Sequence, residues 1–349
     1  MNIQTINHKN LSFINVTNPG ELEVKHLTQN FGFDSLHLDD FINKIQTPKI
    51  EIFRNYSLIV LDFPIFNQNG AIGSSPKEPE TVGNKAFKSL LKLPKATLSS
   101  VPVSLPQFQT AEKRRRIQSS QVNFFIGKDY LVVLHDGILE PINEIFKFCQ
   151  KTLAHRNELM GESPVFLAYR IIDVLVDSCF PIMNELSSNI DSIDRELENT
   201  QYQKRIEDIS ITRRNIVFFQ TMIKPIIPLF KQLEEGKYKE LNGTMQPFWG
   251  NIVDHLSKIW ERLEDSRELI EGISLSNESL LSFRNNEIVK FLTIITSISF
   301  PFIIVNNLYS MNIIGLPWAQ HPGIVWVLFS LIFLAGLFII IYFKLRKWI

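Results

Sequence analysis

The chain has 349 residues, in which 36 Lys and Arg balance 36 Asp and Glu, and 45% of positions are hydrophobic. Zero net charge excludes the basic excess of a nucleic-acid-binding face, and two cysteines, Cys149 and Cys179, are too few for a disulfide framework and lack zinc-site spacing. A mean hydropathy of +0.03 averages two unlike regions, because almost all the charge lies before Arg284 and the remainder is close to pure hydrocarbon.

Residues 1–164 mix short apolar strands with helices and predict an α/β domain. Tyr56 to Phe63, Val122 to Ile126 and Tyr130 to Leu134 are rich in β-branched and aromatic residues and read as strands. The stretch from Pro141 has helical periodicity. Between the strands, residues 68–120 are rich in Pro, Ser, Lys and Gly and carry one weak apolar patch, Phe87 to Leu93. Such a composition buries too little surface to offset ordering and predicts a disordered insertion. Its basic cluster, Lys113 to Arg116, reads either as a solvated patch or as a contact for lipid headgroups or nucleic acid.

From Pro164 the apolar residues fall three and four apart. Val165 to Leu197 and Ile206 to Leu233 predict long amphipathic helices, broken by a polar turn at Asn199–Gln203 and kinked at Pro181, Pro225 and Pro228. A third helix begins near Pro247 and carries Leu256, Ile259, Leu263, Ile270 and Ile273 on one side. No Pro or run of turn residues stops it, so residues 165–285 form a long-helix stalk whose last helix continues into the apolar region. At 1.5 Å per residue it spans about 90 Å, too long to stand alone, which implies bundling with copies of itself.

Residues 286–349 predict a transmembrane hairpin with a basic tail. Ile288 to Tyr309 and Pro322 to Phe343 are each long enough to cross a bilayer core. The tail carries Lys344, Arg346 and Lys347, whereas the loop Ser310 to His321 has no Lys or Arg, which puts both termini in the cytosol. Two spans cannot enclose a pathway, so conduction needs an oligomer. The first span supplies the polar face: Asn286, Val289, Leu292 or Thr293, Thr296, Phe300, Ile303, Asn307 and Ser310. Asn307 has two readings, lining a shared axis or gluing helices together. No phosphate loop, Gly-rich dinucleotide turn or His-Glu-x-x-His helix is present, and His135-Asp136 has no nucleophile nearby in sequence, so the chain does not read as an enzyme.

Tyr309-Ser310-Met311-Asn312 stands where the CorA-type magnesium channel family carries Tyr-Gly-Met-Asn. Asn286-Glu287, Lys290, Leu292 to Ile295, Pro301 and the tail from Tyr342 to Trp348 resemble that family's spans. Pro48 to Glu51, just before the first strand, and Phe124 to Lys128, His135 to Gly137, Arg213-Arg214 and Asp254-His255 resemble upstream segments, so the likeness covers nearly the whole chain except the insertion. The resemblance implies an α/β domain, a long helical stalk and two C-terminal transmembrane helices, assembled as a funnel-shaped homopentamer in the inner membrane. First spans would line the pore and second spans surround them.

The implied cargo is a divalent cation, Mg²⁺ first, with Co²⁺, Ni²⁺ or Zn²⁺ (as in the ZntB group) as alternatives; no cofactor is implied. Ser310, Met311 and Asn312 would form the filter, with Asn286, Thr296 and Asn307 as polar pore-lining residues and Val289 and Leu292 as a hydrophobic gate. The chain departs from the family at three places. Ser310 replaces the signature glycine, Asn306 and Asn307 replace small residues, and Asn251 and Leu275 replace acids expected in the regulatory metal site, where Asp254 remains. A non-conducting membrane scaffold is the reading these departures leave beside transport, and His321 in the outer loop is a candidate borderline-metal ligand.

Overall fold

The computed structural model describes residues 2–43, 47–66, 116–198, 202–311 and 321–345. They fall into two compact units, Met1–Ile270 and Glu271–Ile349.

In the first unit six strands make one sheet in the order β1-β2-β6-β5-β4-β3: β1 Ile3–His8, β2 Leu11–Thr17, β3 Lys49–Ile52, β4 Ser57–Phe66, β5 Ile117–Ile126 and β6 Tyr130–His135. Every neighbour pair is antiparallel except β2 and β6. β4 and β5 are rich in buried Leu, Ile, Val and Phe, because helices cover both sheet faces. One face packs Ile14, Val16, Leu58, Val60, Phe125, Val132 and Leu134 against Leu27, Leu38 and Phe41, which belong to α1 (Glu21–Phe31) and α2 (Ser35–Asn43). Gly32, at φ 65°, closes α1 by returning its N–H to the Thr28 carbonyl.

The other face receives α3 (Glu140–Lys151), α5 (Pro164–Asp177), α6 (Cys179–Arg195) and α7 (Tyr202–Glu234). Between α3 and α5 lies the short α4 (Leu153–Met160), and α8 (Lys239–Asn242) follows α7. Phe146 of α3 meets Phe13 edge-on at 5.2 Å. His135 is fully buried on this side: its Nδ1 accepts from the Gly137 N–H at 3.1 Å, so its Nε2–H donates to Asn15 at 2.9 Å. Desolvation holds this imidazole neutral and lowers its pKa to about 4.

α9 runs unbroken from Gln246 to Ser310, with Pro301 inside it, and α10 covers Pro322–Leu345. The expected one-sided stripe is present: Leu256, Ile259, Leu263 and Ile270 are fully buried and Ile273 nearly so.

Three expectations need correction. The insertion was bounded at Ser120, but β5 begins at Ile117, whose side chain is buried and whose N–H donates to Asn215 on α7; residues 67–115 lie outside the described residues. The helix expected over Val165 to Leu197 breaks at Ser178, whose hydroxyl donates to the Leu175 carbonyl at 2.6 Å. It ends at Arg195, before a 3₁₀ turn at Glu196–Glu198. Pro181 falls in the first turn of α6, where it has no N–H to give the Asp177 carbonyl, so the interruption expected at Pro181 takes the form of the break at Ser178. Finally, Pro48 to Glu51 does not merely precede the first strand: Lys49–Ile52 is itself β3, and β1 and β2 come earlier still.

Candidate cation pathway and acidic cluster

Two helices, α9 and α10, are long and apolar enough to cross a membrane. In the second unit they pack through one stripe each. On α9, Ile298, Phe302, Val305 and Tyr309 are half-buried, and on α10 Leu328, Phe329, Ile332, Ile339 and Phe343 are likewise. The stripes meet where Phe302 stacks with Phe329 at 6.4 Å and where Gly336 is buried. A Cβ at Gly336 would stand 3.5 Å from Cγ2 of Ile298.

Turning about 100° per residue, Val289, Thr296, Phe300, Ile303 and Asn307 come to the side of α9 opposite this stripe, with Leu292, Ser310 and Asn286 on its shoulders. All are exposed, Val289 and Leu292 at 59% and Phe300 at 62%. The hydroxyls along this helix serve its own backbone. Thr293 donates to the Val289 carbonyl at 2.7 Å, Thr296 to Leu292 at 2.9 Å, and Ser310 to Asn306 at 2.7 Å. Each donor is thereby satisfied without water, while the oxygen lone pairs stay available. Ser310 is helical, and the left-handed backbone that glycine favours is absent there. Met311 follows and is 56% exposed, with its N–H on the Asn307 carbonyl. Asn312 lies outside the described residues; His321 is exposed just before α10.

In the first unit, Asp173 and Asp177 of α5 meet His255 of α9, with one ligand atom of each within 4.8 Å of the others. His255 Nδ1 is 3.1 Å from Asp177 Oδ1, and the His255 ring stands edge-on to Phe180. Asn251, one turn before His255, donates to Asp173 at 3.1 Å, and Arg170 reaches the other Asp173 oxygen at 3.7 Å. Burial, then the Asp177 charge, raise the Asp173 carboxyl above its usual pKa, against Arg170 and His255. Of the two regulatory candidates read from sequence, Asn251 therefore joins this group, whereas Asp254 is exposed and stands outside it. Asp173, Asp177 and His255 were not singled out as ligands. Their signal was two pairs spaced i, i+4, at 173/177 and 251/255, each presenting its members on one helix face.

A family model described as "CorA-like Mg2+ transporter protein" matches residues 97–347. The cobalt/magnesium transport protein CorA of Thermotoga maritima is 22% identical over 342 residues, 97% of this chain and 83% of that protein. Among solved structures, the CorA magnesium transporter of Methanocaldococcus jannaschii superposes with a TM-score of 0.72 at 17% identity, covering 99% of this chain and 94% of that one. The full-length CmaX protein gives 0.62 at 15% identity, covering 97% and 88%. The family model spans well over half of the chain, and this chain belongs to the CorA-like Mg²⁺ transporters.

Proposed function

We propose that the chain forms a homopentameric Mg²⁺ channel, with α9 of each copy lining the axis, α10 outside it, and both termini in the cytosol. The observation that carries this reading is the two-sidedness of α9. One stripe is taken by α10, and the opposite face holds Val289, Thr296 and Asn307 exposed. A ring of five such faces has polar ends and an apolar middle.

Each position then has a role. Mg²⁺ sheds water reluctantly and demands octahedral oxygen geometry. A ring of neutral Asn312 amides, beside Ser310 and Met311, hydrogen-bonds the waters of a still-hydrated ion and holds it weakly enough to release it. Asn286 repeats that chemistry at the inner mouth, and Thr296 and Asn307 offer oxygens between. Val289 and Leu292 close the path by dewetting. Asn251, with the Asp173–Asp177–His255 group, is the candidate sensor of cytosolic cation.

The test is flux into liposomes loaded with a magnesium-sensitive dye. Asn312→Ala is expected to abolish uptake while the purified oligomer keeps its size; normal uptake removes Asn312 from the filter, and a monomer in lipid removes the channel. The His255 imidazole supports a second reading, because imidazole suits Zn²⁺, Co²⁺ and Ni²⁺ better than Mg²⁺. Competition flux separates the two: Mg²⁺ entry unaffected by Co²⁺ or Ni²⁺ favours the first. Flux from Ser310→Gly but none from the intact chain would instead favour a scaffold.

A further inference from the structure

Among the described residues the sheet has one parallel pair, β2 and β6. β2 and β6 run in register from Ser12 opposite Tyr130 to Thr17 opposite His135, so the chain leaves both strands at the same edge. After β2, Asn18 (φ 48°) and Pro19 lead into α1, on the face of Val16 and Leu134. After β6, Asp136 and Gly137 (φ 80°) lead into α3, on the face of Phe13 and Asn15. A Cβ at Gly137 would stand 2.7 Å from Cγ2 of Thr17, so only glycine lets the two exits lie this close. Adjacent parallel strands whose connections depart to opposite faces open a crevice beyond their carboxyl ends, the place where α/β sheets hold ligands.

A cavity of about 160 Å³ lies there, lined by Asn18, Pro19, Phe41, Ile42, Gln121 and Asp136. Toward it the sheet face under α1 and α2 changes character. On β4, Leu58 and Val60 are followed by Asp62, and on β5, Phe125 is preceded by Asn123 and Gln121, with Asp62 directly opposite Gln121. Gln121 is 8% exposed and Asn123 fully buried. Gln121 Nε2 donates to Asn123 Oδ1 at 3.4 Å, so paired amides carry polarity from the apolar face to the rim of the cavity. Burial also raises the Asp62 carboxyl above its usual range, opposed by a hydrogen bond with Ser119. Asp136 is fixed as an acceptor: its Oδ1 takes the Ser120 hydroxyl at 2.6 Å and the Ile138 N–H at 3.1 Å. Among the described residues, no Lys, Arg or His side chain lines the cavity.

We infer that this cavity binds a small organic ammonium ion, whose N–H groups go to the Asp136 carboxylate and the Asn18 and Gln121 amide oxygens, and whose hydrocarbon part lies on Pro19, Phe41 and Ile42. The inference does not rest on transport, since every residue in it belongs to the first unit. The test is calorimetric titration of the full-length purified protein with 1,4-diaminobutane, alongside its unfolding temperature.

Saturable binding with a raised unfolding temperature is expected. Asp136→Asn keeps an acceptor oxygen for Ser120 and Ile138 but removes the charge, and should weaken binding at least tenfold. Ile42→Trp fills the cavity from a residue that is 42% exposed, and should abolish binding without lowering the ligand-free unfolding temperature. Absence of diamine binding, equal binding by the wild type and both variants, or a site that takes MgCl₂ in preference to the diamine overturns the assignment.

Discussion

Replacing Asn251 by Asp tests whether the α5–α9 cluster holds a cation. In the wild type the Asn251 amide donates to Asp173 at 3.1 Å. Asn251→Asp turns that donor into a second carboxylate and places it beside an Asp173 whose pKa burial and Asp177 already raise. Two unit charges about 4 Å apart repel by about 4 kcal/mol at an effective dielectric near 20. Asn251 is exposed, so solvent screening brings the cost to the order of 1 kcal/mol. In chelator the variant should therefore unfold about 2–4 °C below the wild type. A divalent cation reverses the sign, because three carboxylates and an imidazole then surround it. At a hundredfold excess over Kd, binding contributes about 2.7 kcal/mol, enough to carry the variant above the wild type in chelator. Intrinsic tryptophan fluorescence during heating reads both arms, and Trp249, buried two positions before the substitution, is a local reporter. A variant as stable as the wild type in chelator and indifferent to millimolar Mg²⁺ would refute the reasoning.

Other expectations are as specific. His135 is held neutral with its pKa lowered to about 4 from 6.5, so its contribution, about 3 kcal/mol in all, is complete above pH 6.5 and lost as pH falls toward 4. His135→Gln, whose amide can serve Asn15 and Gly137, should flatten the fall of unfolding temperature between pH 6.5 and 4.5; an unchanged slope would assign the acid sensitivity elsewhere. Gly336→Ala meets Ile298 at an ordinary 3.5 Å and should keep wild-type flux, whereas Gly336→Leu should prise the spans apart and reduce both flux and oligomer yield, read by liposome uptake and size-exclusion chromatography. Equal behaviour of the two would show that the stripe does not hold the hairpin. Val289→Asp wets the apolar ring of the proposed pore, and should raise Mg²⁺ flux above the wild type in the same liposomes; no change would remove Val289 from the proposed gate.

The sequence was most legible where one period persisted. Leu256 to Ile273 keeps its spacing with no breaker, and the helix runs through it unbroken. β4 to β6 were legible because runs of β-branched and aromatic residues have few other uses. The first hairpin escaped although β2, LSFINVT, carries such a run: its partner β1 is IQTINH, with only Ile6 buried, and their turn sets Lys9 rather than glycine at φ 50°. The break at Ser178 was legible only as a kink at Pro181, because serine continues a helix as readily as it ends one and the missing proline N–H acts one turn upstream. The acidic cluster escaped for a different reason. Asp173 and Asn251 are 78 positions apart, and no local pattern reveals which turns of two helices will face each other.

The apolar region poses a problem that one copy cannot solve. From Glu287 to Thr293 every residue of α9 is exposed, among them Ile288, Val289, Phe291 and Leu292 at 59–66%. Hydrocarbon exposed all round a helix is stable only among lipid tails or other protein. Lipid accommodates those residues but not Asn306 and Asn307, which lie within the span and are exposed as well, because an amide facing acyl chains finds no partner. α10 offers no remedy, since Ser330 is its one hydroxyl residue before Tyr342 and already donates to the Trp326 carbonyl. The amides need either each other across neighbouring copies or water on a common axis. The ring of α9 helices proposed above would supply both at once, and would give the apolar turns around Val289 and Leu292 a reason to face inward as a constriction.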